Sequence, residues 1–260
     1  MNLSKPIVLS GGAIGGGKEP LVCSPLVAKN EQAVLLELAA ITAKSPDIIE
    51  WRVDFFEGIG DISRVISLAQ QIRQAAQGIP TIFTRRSISE GGESIPIDED
   101  QVLELYRAVC TSQYVDMVDY ELSCDPVHFQ AALGAAHKAG VKLIASYHNF
   151  HQTPTIEQIV EKFVMAENSG ADIAKVAVMP RAIEDVLTLL AATLQGHRSI
   201  KLPIISMSMG AYGSLSRLFG WAFGSSVTFA VGDKASAPGQ VTIEELRVVL
   251  EILQRSLAPK

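Results

Sequence analysis

The sequence predicts an α/β protein folded as a (β/α)8 (TIM) barrel, and three observations carry that prediction. Short, β-branched apolar runs recur eight times, their starts roughly 24 to 34 residues apart, the size of a strand–loop–helix unit. The segments between them are rich in Ala, Leu, Glu and Gln, with apolar residues at helical spacing. The chain of 260 residues, 48% hydrophobic, is long enough for one large core and too apolar to stay disordered. A doubly wound open sheet is the alternative on counting alone. No linker, repeat or low-complexity stretch divides the chain. Residues 1–260 therefore read as a single barrel catalytic domain, with 1–20 as an N-terminal hairpin or cap.

That cap comes first. Ile7-Val8-Leu9 leads into Ser10-Gly11-Gly12-Ala13-Ile14-Gly15-Gly16-Gly17. A phosphate-binding glycine loop needs a helix opening directly after it, and here Pro20 and another apolar run follow instead. The expected strands are then 21–28, 47–54, 80–86, 114–122, 141–148, 171–179, 202–209 and 226–230. The expected helices are 33–43, 62–76, 100–110, 126–139, 156–168, 183–195, 215–223 and 243–257. Helix starts are marked by Ser63, by Asp125-Pro126, by Thr153-Pro154, and by Thr242 followed by Glu244-Glu245.

Composition narrows the function. Acidic residues outnumber basic ones 28 to 22, for a net charge of −6, and no Lys/Arg cluster offers a grip on phosphates. A nucleic-acid partner is not expected. No apolar run approaches the roughly 20 residues that span a bilayer, and no signal peptide is apparent, so no membrane partner is expected. The three cysteines, Cys23, Cys110 and Cys124, show no CxxC spacing. They suit a reducing compartment and a cytoplasmic protein rather than a disulfide framework or a zinc site.

In a barrel the reactive groups lie at the C-terminal ends of strands and in the loops beyond. Glu50, Arg52 and Asp54 alternate with Trp51 and Val53, so the three charges face inward if the apolar pair packs on helices. Arg86 ends the third strand, before a loop carrying Glu90-Gly91-Gly92-Glu93. His148 ends the fifth strand, where a general base belongs; His128, His137 and His197 read as solvent-facing. His148 and His151 form an HxxH, but without carboxylate support this is no metal motif. Lys175 stands in the apolar strand Ala171–Met179, where lost hydration lowers an amine's pKa and frees it to attack a carbonyl. A lysine merely paired with a barrel acid such as Glu50 or Glu121 is the competing reading. His148 and Lys175 end neighbouring strands, about 4.8 Å apart. Met207 and Met209 share a face of strand seven. Arg217, near a helix start, offers a planar fork for a carboxylate. Ser236 and Gln240 are the donors of a small-residue loop, Ala235–Gln240, suited to close over a ligand.

Taken together these segments resemble type I 3-dehydroquinate dehydratase. The resemblance runs from Leu21 to the last helix. It rests on Glu50-Trp51-Arg52-Val53-Asp54, Arg86 with Glu90-Gly91-Gly92-Glu93, His148 before Thr153-Pro154, and Asp172-Ile173-Ala174-Lys175. It continues through Ser206-Met207-Ser208-Met209, Ser216-Arg217, Phe223-Gly224-Ser225 and Ser236-Ala237-Pro238-Gly239-Gln240. Three positions depart from the family pattern: Asn149 after the histidine, Ala211-Tyr212 in the turn after strand seven, and Arg85.

The resemblance implies syn dehydration of 3-dehydroquinate to 3-dehydroshikimate in the shikimate pathway through a Schiff base on Lys175. His148 would be the base and Glu90 the acid that orients it. Glu50, Arg52 and Arg86 would hold ring hydroxyls, and Arg217 the carboxylate. Met207 and Met209 would line the wall, and Ser236 and Gln240 would close the lid. It implies no metal or organic cofactor, a monofunctional chain and a homodimer. Two other readings compete. An imine-forming aldolase would want a phosphate site near strands seven and eight, where Ser-Ala-Pro-Gly-Gln stands instead. A non-catalytic barrel would have no use for Lys175 beside His148.

Overall fold

The computed structural model describes residues 4–17, 19–234 and 239–257. An antiparallel hairpin, β1 (Pro6–Leu9) with β2 (Gly12–Gly15), opens the chain. Eight parallel strands follow, in the order β10-β3-β4-β5-β6-β7-β8-β9. They are β3 (Leu21–Leu26), β4 (Ile48–Arg52), β5 (Thr81–Thr84), β6 (Met117–Glu121), β7 (Lys142–Asn149), β8 (Ile173–Val178), β9 (Ile204–Ser208) and β10 (Val227–Phe229). A parallel bridge between Ile204 and Ser225 joins β9 to the approach of β10 and closes the ring.

The helices are α1 (Glu31–Thr42), α2 (Ile62–Ala75), α3 (Glu99–Ser112), α4 (Pro126–Ala139), α5 (Ile156–Asn168), α6 (Ile183–Ser199), α7 (Gly210–Phe219) and α8 (Ile243–Leu257). Eight strands and eight helices thus stand where the sequence predicts them, with three corrections. The α2 cap is Asp61, which accepts from the backbone of Ser63 and Arg64; Ser63 itself is already helical. The α5 cap is Thr155, in a capping box with Gln158, and not Thr153. The seventh helix begins at Gly210, five residues before the expected start, so Arg217 falls in its last turn; residues 220–223 form a separate 3-10 turn.

Period-two alternation sorts side chains between two cores. Trp51, Val53, Phe83, Val118, Leu143 and Val176 face outward into the layer between strands and helices. There Trp51, Phe83, Tyr106, Tyr120 and Phe129 stack edge to face in series, centroids 4.9–6.0 Å apart. Tyr106 also ties α3 to the strand ends: its hydroxyl donates to the Asp119 carbonyl at 2.7 Å and accepts from the Arg85 backbone N–H at 3.0 Å. Inside the barrel, Ile48, Ile82, Met117, Ile144, Ile173 and Ile205 cluster with Ile7 and Leu9 of the hairpin. The glycine-rich segment is therefore a plug. Beyond that apolar floor the same inner faces turn polar: Glu50 and Arg52 on β4, Thr84 on β5, Asp119 and Glu121 on β6, Ser146 and His148 on β7, Lys175 on β8.

Candidate active site

The inward charges form one network. Lys175 Nζ donates to Asp119 Oδ2 at 2.7 Å and to Glu50 Oε1 at 3.1 Å, and lies 4.9 Å from the Phe229 ring centroid. Arg86, just past β5, donates to Asp119 Oδ1 at 2.7 Å, to Glu121 Oε1 at 2.9 Å and to Ser146 Oγ at 2.9 Å. Asp119 thus bridges the two cations. The Arg52 guanidinium forks onto Asp54 at 2.8 and 2.7 Å, and Asp54 also accepts from the backbone of Arg86 and Glu93.

The expected free amine is corrected by this network. Burial disfavours the Lys175 ammonium, but Asp119 and Glu50 outweigh that effect and hold its pKa above the ordinary lysine value. Burial also opposes ionisation of Asp119, yet Arg86 and Lys175 keep its carboxyl far below the usual carboxylate range. Lys175 is not at a strand end either. It lies opposite Ser146, whereas His148 lies opposite Ala177, two residues nearer the mouth.

His148 is held by Glu90. One carboxylate oxygen, Oε2, sits 2.8 Å from His148 Nδ1 and accepts the His148 backbone N–H at 3.0 Å. Burial, reinforced by Arg86 and Lys175, drives the His148 pKa well below 6.5, so the ring is neutral at neutral pH. An ionised Glu90 assigns its proton to Nδ1 and leaves Nε2 as the basic nitrogen. Burial and the Glu121 charge push Glu90 itself up to about 7, against the pull of Arg86 and the Ser123 hydroxyl. Two glycines set Glu90's backbone. Gly91 has φ +84°, and a Cβ on Gly92 would lie 1.9 Å from the Arg86 carbonyl oxygen.

A cavity of about 50 Å³ opens over these groups, lined by Glu50, Arg52, Arg86, His148, Lys175, Ala177, Met207, Met209, Arg217, Phe229 and Gln240. Nine residues singled out in the sequence meet here. Glu90 lies behind His148, and Ser236 falls outside the described residues. Burial lowers the Arg217 pKa to about 10, and its Nη1 lies 3.6 Å from Met207 Sδ. A larger cavity, about 290 Å³, lies outside the barrel wall beside Arg85, Glu99, Ser123 and His128. His128 pairs there with Asp100, and His137 pairs with Asp172 at the other end of the barrel. His128 and His197 are half-buried and not solvent-facing, the His197 ring packed where a Cβ on Gly224 would fall. The sequence reading missed Asp119, Ser123, Ser146 and Phe229, and offered Glu121 only as a partner for Lys175, whereas it pairs with Arg86. For Asp119 and Glu121 the signal was present, because both share the inward face of the MVDYE strand.

Fold and site together define a lysine-centred (β/α)8 barrel with a carboxylate-held histidine above the amine. The family model for type I 3-dehydroquinase matches residues 22–256, and the chain belongs to that family. Its relatives include 3-dehydroquinate dehydratase of Aromatoleum aromaticum, 61% identical over 99% of both chains. The counterpart from Albidiferax ferrireducens is 54% identical, over 99% of this chain and 97% of that one. The crystal structure of 3-dehydroquinate dehydratase from Geobacillus kaustophilus superposes with a TM-score of 0.96 at 44% identity, covering 99% of this chain and 100% of that one.

Proposed function

We propose that this protein is a hydro-lyase that converts 3-dehydroquinate to 3-dehydroshikimate by syn loss of water, through an imine on Lys175. The observation that carries the chemistry is a buried lysine sharing one cavity with a histidine whose Nδ1 is held by a carboxylate. Full-length similarity to enzymes named for this reaction supplies the substrate. Residues 1–260 form one catalytic barrel domain on this reading, with 1–20 as its cap.

In outline, the Lys175 nitrogen adds to the C3 carbonyl carbon while two ammonium protons pass, by way of His148, to the carbonyl oxygen, which leaves as water. The resulting iminium draws electrons from C2. His148 Nε2 takes the C2 proton, the C2–H electron pair forms a C2=C3 bond as the C=N π pair moves onto nitrogen, and the enamine expels the C1 hydroxyl as water when His148 returns the proton. Water then hydrolyses the iminium and releases the enone. One water is lost overall. Glu90 orients His148, Glu50, Arg52 and Arg86 face the ring hydroxyls, Arg217 binds the carboxylate, Met207 and Met209 form the wall, and Ser236 and Gln240 close the mouth.

Two coarser properties complete the reading. No helix among the described residues is long and apolar enough to cross a membrane. The three free thiols support a cytoplasmic location, and the family resemblance supports a homodimer.

The test is direct. Adding 3-dehydroquinate should produce the ultraviolet absorbance of a conjugated enone, and borohydride added with substrate should inactivate the enzyme with a covalent adduct on Lys175. No enone, or an adduct mapped to Lys201 or Lys234, overturns the proposal.

A further inference from the structure

We infer that Ser123 is a positioning residue for the base: its hydroxyl aims the Glu90 carboxylate at His148 and holds it in its ionised form. The inference rests on the reading of His148 as the proton acceptor and goes beyond the Lys175–His148–Glu90 set.

Glu90 is 3% exposed, so each carboxylate oxygen needs a partner inside the protein. Oε2 is taken by His148. Oε1 accepts the Ser123 hydroxyl at 2.5 Å, within the range of charge-assisted O–H···O⁻ bonds. With its two oxygens anchored on opposite sides, the carboxylate cannot rotate away from the imidazole. Ser123 sits in the turn directly after β6, fixed by Leu122 N–H to the Ser146 carbonyl at 2.8 Å and Cys124 N–H to the Glu121 carbonyl at 3.3 Å. Glu121, the acid that most opposes ionisation of Glu90, ends β6 two residues before Ser123. The end of β6 and the turn beyond it therefore bring both a repelling charge and the donor that offsets it.

The charges around Glu90 come from every side. Arg86 lies 3.7 Å away at the end of β5, Asp119 and Glu121 face it from β6, and His148 from β7. Lys175 of β8 and Arg52 of β4 bear on His148 from the far side. Arg85, Glu99, Asp125 and His128 line the outer cavity that Ser123 borders. In this setting, loss of the hydroxyl leaves a buried oxygen without a donor and favours the neutral acid. A protonated Glu90 accepts Nδ1–H only as a neutral acid, so it favours the tautomer with basic Nε2, and the imidazolium formed on proton abstraction, much less.

Ser123 is exposed on its outer side, so truncation leaves the core intact. Ser123→Ala should shift the acid limb of the kcat–pH profile upward. Below that limb kcat should fall about tenfold, with near-wild-type values at alkaline pH, unchanged KM and an unchanged borohydride adduct on Lys175. Ser123→Thr, which keeps the hydroxyl, should restore the wild-type profile. An unmoved acid limb, a uniform loss at every pH, or no rescue by threonine overturns the inference. A wild-type enzyme without turnover or Lys175 adduct would overturn the parent reading instead, and this inference with it.

Discussion

Lys175 lies two residues deeper in the barrel than His148, because β7 and β8 pair Ser146 with Lys175 and set His148 opposite Ala177. At about 3.3 Å per residue, the Cα atoms are offset by roughly 6–7 Å along the strands. The amine therefore meets a ligand from the floor and the imidazole meets it nearer the mouth. Covalent capture and proton removal are assigned to different heights.

That separation makes the two functions separable by mutation. In His148→Ala the amine keeps Asp119 and Glu50, so borohydride trapping at Lys175 should persist. Turnover should fall about 10²–10⁴-fold, the usual range for a positioned acid–base group, or further if His148 serves several steps. Near-wild-type kcat in the variant would remove His148 from the mechanism.

Asp119→Asn tests the bridge between the cations. Asp119 holds Lys175 and Arg86 at 2.7 Å each and accepts Ser146 Oγ at 2.6 Å. Without its charge Lys175 keeps Glu50 and Arg86 keeps Glu121, yet breaking a buried ion pair destabilises by roughly 3–5 kcal/mol. The depressed Asp119 pKa contributes stability that is present above about pH 3.9 and fades as pH falls through the folded value. The raised Lys175 pKa contributes stability that is present below about 10.4 and fades as pH rises through its folded value. Denaturant titrations of both proteins should show the largest difference between those limits. Equal stability near neutral pH would contradict the bridging role.

What the sequence made legible follows from periodicity. Glu50, Arg52 and Asp54 stood out because three charges in an apolar strand demand an inward environment. Lys175 stood out for the same reason, but its partners could not be chosen, since pairing across the barrel depends on stagger and depth. Glu50 and Glu121 were the acids on offer; the structure gives Lys175 to Glu50 and to Asp119, which was not considered, and pairs Glu121 with Arg86 instead. Ser123 carried no signal, because a serine in a surface turn is ordinary until Glu90 is seen to reach it. Asp61 and Thr155 were passed over as caps because a helix start blurs by a residue or two in apolar pattern alone.

Glu90→Gln should separate stability from activity. The amide can keep its oxygen toward His148 and turn its nitrogen toward Ser123, so the packing survives. Wild-type Glu90, raised to about 7, favours folding fully only below its unfolded value and loses that contribution as pH rises through about 7. The Gln variant has no such loss. Its melting temperature relative to wild type should climb between about pH 4.5 and 7, by the equivalent of about 1–3 kcal/mol, while kcat falls. A stability difference independent of pH would show that Glu90 is not strained by its neighbours.

Two glycine-to-alanine changes should act in opposite directions. At Gly92 the added Cβ would meet the Arg86 carbonyl at 1.9 Å, a backbone atom that cannot swing aside. The loop must shift, and with it both the Glu90 carboxylate and the backbone N–H of Glu93 that binds Asp54. Gly134 lies within α4, where an added Cβ meets nothing within 4 Å, and alanine there removes unfolded-chain entropy. Gly92→Ala should lower stability by about 1–3 kcal/mol and lower kcat, because overpacking and loss of Glu90 alignment coincide. Gly134→Ala should raise stability by about 0.5–1 kcal/mol and leave kcat and KM alone. Chemical denaturation with parallel turnover assays checks both. A Gly92→Ala enzyme with full kcat would mean that the turn after Glu90 does not set the alignment of the base.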